Sequence, residues 1–352
     1  MKSHPPRANA IPRAPTVPQP VVTKAPALVR NPIRSGVPFL AYDPDSSFAS
    51  NLERLKSFCT LQRDYKDAHL VAEPLVRGLY ARADSDPHLI IKDWKSGQGT
   101  SLYRTVLLGC LAASRVHEAT SLFWGGALDR QESSEVRRTA LHLLREIGDA
   151  TPNPDAMRQL LFDPDESVLL FTLSLPAAHW DNRTVERAEA LFNTSTNIHL
   201  KLASLSAMAT VAPEAIQGRL MAIASQTNSS REDPFSEVSL VKRLAVSRMA
   251  LSSPEEVQLV VQIATNPAED PGVREKAILR MGQSDSTSVE ETLKRMLAST
   301  GDDNALVLRA ITDALLRNPK PKTLRLITEK IATLQDPHVR KLLQARIEKA
   351  NP

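Results

Sequence analysis

The chain has 352 residues, of which 42% are hydrophobic, 24% charged and only 4% aromatic, with 12 glycines and a net charge of +4. That length allows one large core or several small ones in series, and the near absence of strand-type alternation points to helices throughout. Two cysteines, Cys59 and Cys110, exclude a disulfide framework and a cysteine-based metal motif, and no apolar run is long enough for a membrane span.

Residues 1–40 are rich in Pro, Ala and Val and carry Lys2, Arg7, Arg13, Lys24, Arg30 and Arg34 without one acidic residue. The positive surplus belongs to this stretch, so it speaks little for a nucleic-acid-binding body. Proline fixes φ and removes a backbone donor, and the stretch is predicted to be a disordered, extended tail or linker. It holds two PxxP segments, Pro12–Pro15 and Pro15–Pro18, which fit an aromatic groove but also any Pro-rich spacer. No signal-type apolar core follows Met1, so a cytoplasmic location is expected. A tail tethered to the cell envelope is the alternative if a further segment precedes Met1.

Helices are predicted to begin near Phe48. From residue 64 they fall into pairs: 64–83 with 100–114, 116–129 with 133–147, 154–162 with 165–177, 183–193 with 197–210, 212–226 with 237–250, 254–266 with 271–282, 286–299 with 303–317, and 320–334 with 336–349. A short extra helix over 86–95 interrupts the first pair. Ser253-Pro254-Glu255-Glu256 reads as an N-cap, a proline in the first turn and a capping-box Glu. Ser288-Val289-Glu290-Glu291 reads as a second capping box. Asp270-Pro271 and Asp336-Pro337 mark helix starts, and Asn266-Pro267 and Asn318-Pro319 mark helix ends. The polar connector 226–236 reads as an insertion on one rim.

One phrase recurs along these pairs: a branched residue, often a basic one after it, and a small or apolar residue four positions on. Val136-Arg137 leads to Ala140, Val241-Lys242 to Ala245, Val273-Arg274 to Ala277 and Val339-Arg340 to Leu343. Looser copies start at Val168, Ile198 and Val307. A period of about 30–34 residues, stretched once by the connector, signals a repeat architecture in which each pair buries its apolar surplus on its neighbours.

These features resemble HEAT-type repeats, closely over residues 130–350 and loosely over 64–129, with armadillo repeats as a more distant relative. The resemblance implies an all-α, right-handed α-solenoid of about eight stacked antiparallel helix pairs. The expected organisation is a tail over residues 1–40, an N-terminal helical cap with divergent repeats over 41–131, and a repeat array over 132–352. In that family a turn Asp and the Arg of the second helix commonly form a ladder. The matching residues are Asp270 with Arg274, Asp336 with Arg340, and Glu135 with Arg137. The copies at Val168, Ile198 and Val307 carry Leu169, His199 and Leu308 instead of a basic residue, so the ladder is expected to be broken.

Chemistry-bearing motifs are sparse. Ser96-Gly97-Gln98-Gly99-Thr100-Ser101 lacks the Lys-Ser/Thr of a P-loop and the third glycine of a dinucleotide fingerprint, and reads as a turn with a helix cap. The histidines, among them His142, His179 and His199, do not pair at metal-ligand spacing, so no metal, cofactor or catalytic residue is assigned. Trp94, Trp124 and Trp180 read as packing residues or, more sharply, as partner anchors. The expectation is therefore a monomeric, non-enzymatic scaffold that holds a protein or peptide on its concave face. Arg137, Arg138, Lys242, Arg243, Arg274 and Arg340 on the second helices are the candidate binding residues. The alternatives are a HEAT-like enzyme or nucleic-acid-binding protein, with DNA glycosylases and bilin lyases as the family's precedents, or an envelope-tethered protein.

Overall fold

The computed structural model describes residues 39–62, 67–148, 153–226 and 233–350. The predicted tail up to residue 38, with both PxxP segments, and residues 227–232 of the polar connector lie outside the described residues. Among the described residues every regular element is helical, with eighteen α-helices and three short 3-10 turns. None of these helices is long and apolar enough to cross a membrane.

The helices are α1 Phe48–Leu61, α2 Ala68–Ala81, α3 Pro87–Lys95, α4 Ser101–Ala113, α5 Ala119–Leu128 and α6 Ser134–Ile147. Then come α7 Pro154–Leu160, α8 Glu166–Thr172, α9 Asn182–Thr194, α10 Ile198–Val211, α11 Pro213–Ala224 and α12 Glu237–Arg248. The last six are α13 Pro254–Thr265, α14 Pro271–Met281, α15 Thr287–Ser299, α16 Ala305–Leu315, α17 Pro321–Thr333 and α18 Pro337–Ala350.

Short polar side chains start most of them. The Ser253 hydroxyl accepts from Glu256 N–H at 3.2 Å while Glu256 accepts from Ser253 N–H at 2.9 Å, the reciprocal box expected from the sequence. Asp270 accepts from Val273 N–H at 2.9 Å, and Asp336 accepts from His338 N–H at 2.7 Å. The second predicted box does not form: the N-cap position falls at Ser286, two residues earlier, placing Ser288 inside the first turn of α15. Glu291 turns instead to Lys294 at 2.8 Å, and Glu290 to Lys294 at 3.0 Å and Lys320 at 2.5 Å.

Each second helix packs on the next in unbroken order, α4 on α6, α6 on α8, and so on to α18. The recurring phrase supplies the seam. Val136, Val168, Val241, Val273, Val307 and Val339 are buried, as are Ala140, Ala245, Ala277 and Leu343, and Ile198 is partly buried. One hydrophobic core runs from Phe48 to Leu343.

One helix departs clearly from its predicted span. α8 has seven residues, against a prediction reaching residue 177. Pro176 explains the early end, because it offers no N–H to the Thr172 carbonyl and pushes Leu175 out of the α region. The chain makes a 3-10 turn there instead, and His179 buries edge-on against Trp124, with ring centroids 5.1 Å apart.

At the other end, buried Asn51 fastens the incoming chain. Its side chain donates to the Asp43 carbonyl at 2.8 Å and accepts from Asp43 N–H at 3.0 Å. Leu40 N–H donates to Val71 O at 3.0 Å. Tyr42 lies on the α2 backbone at Gly78, where a side chain would have no room. These contacts set α1 and α2 in place beside α4.

Candidate functional site

The six basic residues singled out from the sequence are spread along α6, α12, α14 and α18 rather than gathered. Arg137 is buried, with Nη1 3.1 Å from Asp163 Oδ1, a second contact to Asp163 Oδ2, and Nε donating to Ala127 O at 2.9 Å. Lys242 is buried against Glu269 at 2.6 Å. These two do not reach the surface, which corrects their reading as binding residues. Arg243 donates from Nε to Asp270 at 2.9 Å and from Nη2 to Pro234 O at 2.6 Å. Arg138 reaches Ser134 O, Arg274 reaches Ala264 O, and Arg340 reaches Leu334 O, all partly buried.

A ladder exists, in a different register from the one the resemblance implies. Asp270 binds Arg243 of the preceding pair, and Arg137 binds Asp163 of the following pair. Arg104, unremarked in the sequence, joins the set. It is buried, pairs with Glu132, and donates to Trp94 O at 3.1 Å while stacking on the Trp94 ring at 4.0 Å. The cation of one second helix thus reaches back to a carbonyl ending the helix before it and forward to the carboxylate that leads into the next second helix. Asp270 both caps α14 and accepts from Arg243 of the preceding unit through Oδ1.

The polar groups that remain open converge elsewhere. α1, α2, α4 and the loop between α3 and α4 enclose a cleft of about 1110 Å³. α2 presents His69, Glu73, Val76 and Tyr80 at helical spacing on the cleft side, and α4 presents Ser101, Leu102, Thr105 and Val106. Cys59 comes from α1 and Glu135 from the start of α6. The glycine loop ends in Thr100, whose hydroxyl caps Tyr103 N–H at 3.4 Å, as the sequence led one to expect. Gly97 and Gly99 hold φ of +68° and +109°, which only glycine adopts freely.

Thr105 stands between Arg104 and the apolar run of α4, and its Oγ1 is buried without a hydrogen-bond partner. Such a hydroxyl costs free energy unless something pairs with it. Burial pushes the Cys59 thiol up to about 11, a hydrogen bond with Thr100 acting in the opposite direction. Burial, with the Cys110 thiol beside it, also pushes Tyr80 up to about 12. Both stay protonated at neutral pH, so neither serves as a ready nucleophile. His69 and Glu73 are the ionisable side chains on the α2 wall, with Glu73 paired to Arg77 one turn on. Among the described residues no group of His, Cys, Asp and Glu is placed to hold a metal ion.

The basic phrase drew attention because it recurs. The cleft residues do not recur, and their signal was confined to the polar face of α2 and the isolated Thr105.

No protein-family model and no curated protein matches the chain. Among solved structures, human deoxyhypusine hydroxylase in complex with glycerol is similar to it at 16% identity and a TM-score of 0.29, covering 86% of this chain and 97% of that one. The expectation of a non-enzymatic scaffold is not carried further, and a likeness at this TM-score transfers no activity, reaction or residue to this chain.

Proposed function

We propose that this chain is a right-handed α-solenoid of HEAT type, with about eight helix pairs, whose working site is the N-terminal cleft and whose ligand is a small polar molecule. The observation that carries the reading is the buried, unpartnered Thr105 hydroxyl in the wall of this cleft. A cleft of about 1110 Å³ is generous for a metabolite-sized ligand, and polar groups from four helices border it. Thr105, Tyr80 and Ser101 supply hydroxyl donors and acceptors. His69 and Glu73 supply the groups through which a bound molecule would gain or lose a proton. The unbroken packing of second helices supports the solenoid reading, since it makes the cap a rigid end of a continuous body.

The test is thermal unfolding of the full chain in the presence of amines, amino acids, sugars and nucleosides in turn. Val76→Trp, which fills the cleft from an α2 position, serves as the comparison. At least one class should raise the melting temperature of the wild type and leave Val76→Trp unmoved. Equal shifts in both proteins, or no shift with any class, would sink the proposal.

A further inference from the structure

Across the glycine loop lies a second cavity, of about 590 Å³, which shares Gly99 and Ser101 with the cleft as a common wall. α5 contributes Gly125 and Gly126 to it. Gly126 is explained within the chain, because a Cβ there would sit 2.8 Å from the Trp94 ring. Gly125 is not, because a Cβ there would meet nothing within 4 Å. Glycine inside a helix is disfavoured against alanine, so bare backbone at this exposed position is a cost without an internal reason. A molecule lying against that backbone would supply one.

The polar wall indicates what kind of molecule. Both carboxylates there are engaged: Glu132 holds Arg104, and Asp129 accepts from Gln131 N–H at 2.9 Å. The donors are not all taken up. Arg104 is 6% exposed, and its Nε–H has no partner. Lys95 is exposed at the rim, with no hydrogen bond or ion pair of its own. Ser101 opens α4 and Ser133 caps α6, so two helix starts border the space, and such ends favour anions. We infer that this cavity binds a small molecule through a phosphate or carboxylate group, with Lys95 and the Arg104 guanidinium as its cationic partners and Gly125 as the surface it lies on.

The inference stands apart from the reading of the neighbouring cleft, since Val76→Trp leaves this cavity untouched. The experiment is titration calorimetry of the full chain with inorganic phosphate and, separately, with succinate, at constant ionic strength held with chloride. Whichever anion binds identifies the oxyanion recognised. Lys95→Gln should weaken that binding by about tenfold, the worth of one charge-assisted hydrogen bond. Gly125→Ala should raise the melting temperature while weakening binding, a combination that a purely structural glycine would not give. If neither anion binds above the chloride background, or if both variants bind as the wild type does, the inference is overturned.

Discussion

Arg137 and Asp163 form the most enclosed of the arginine pairs, with side chains 6% and 2% exposed. Removing one partner leaves the other charged and dry, so Arg137→Ala should lower stability by ~3–5 kcal/mol in urea unfolding. Arg137→Met combined with Asp163→Leu should recover most of that loss, because it removes both charges and keeps volume. If the double variant is no more stable than the single one, the ladder matters for geometry and not for charge pairing. The thiols give a second prediction. Burial pushes Cys110 up to about 12, as it pushes Cys59 up to about 11, from the ordinary thiol value of 9.0. A group whose folded pKa is raised contributes stability that is complete below its unfolded pKa and lost as pH rises through the folded one. The urea midpoint should therefore fall between about pH 9 and 12, and less steeply in Cys110→Ala. At pH 7.5 both cysteines should resist a thiol reagent until the chain is unfolded.

At the scale of elements, α6 and α8 are joined by Ser134, whose hydroxyl donates to Asp165, the residue that caps α8. Hydrogen bonds from Ser134 and then Ser167 hold the Asp165 carboxyl down at about 2, against the ordinary value of 3.8. A lowered carboxyl contributes stability above its unfolded pKa and loses it as pH falls through the folded one. Ser134→Ala should thus cost stability at pH 5 and markedly less at pH 2, where the folded carboxyl is about half protonated. An equal loss at both pH values would show that Ser134 acts by packing alone. Helix positions were legible because caps and apolar spacing are local: Asp270, Asp336 and the Ser253 box all act where their residue types pointed. Ser288 misled because its Ser-x-x-Glu pattern lies two residues too late, with Glu291 drawn off by Lys294. The span of α8 was overdrawn because its apolar residues continue past the point where Pro176 ends the helix.

For the whole molecule, the array was legible and the cleft was not. The seam from Val136 to Val339 repeats, so its periodicity is visible in one dimension. The cleft draws Cys59, His69, Tyr80, Thr105 and Glu135 from separate helices, and nothing in their sequence spacing announces that they meet. The same holds for the ladder register, in which Arg137 skips the nearby Glu135 for an acid in the next unit.

That register decides where the chain can be divided. Each buried cation is neutralised by the unit that follows it, so a cut after an intact rung strands a charge in the half that loses its acid. Between Asp163 and Lys242 no buried rung is crossed, since Leu169 and His199 stand where a cation would be. A break after Trp180 crosses the part-exposed contact of Arg158 with Asp181, the hydrogen bonds of Arg187 to Leu161 O and of Asn197 to Glu166, and no buried ion pair among the described residues. Two polypeptides ending and beginning there should reassemble on mixing, as read by co-elution in gel filtration. Halves divided at residue 150, which separates Arg137 from Asp163, should not.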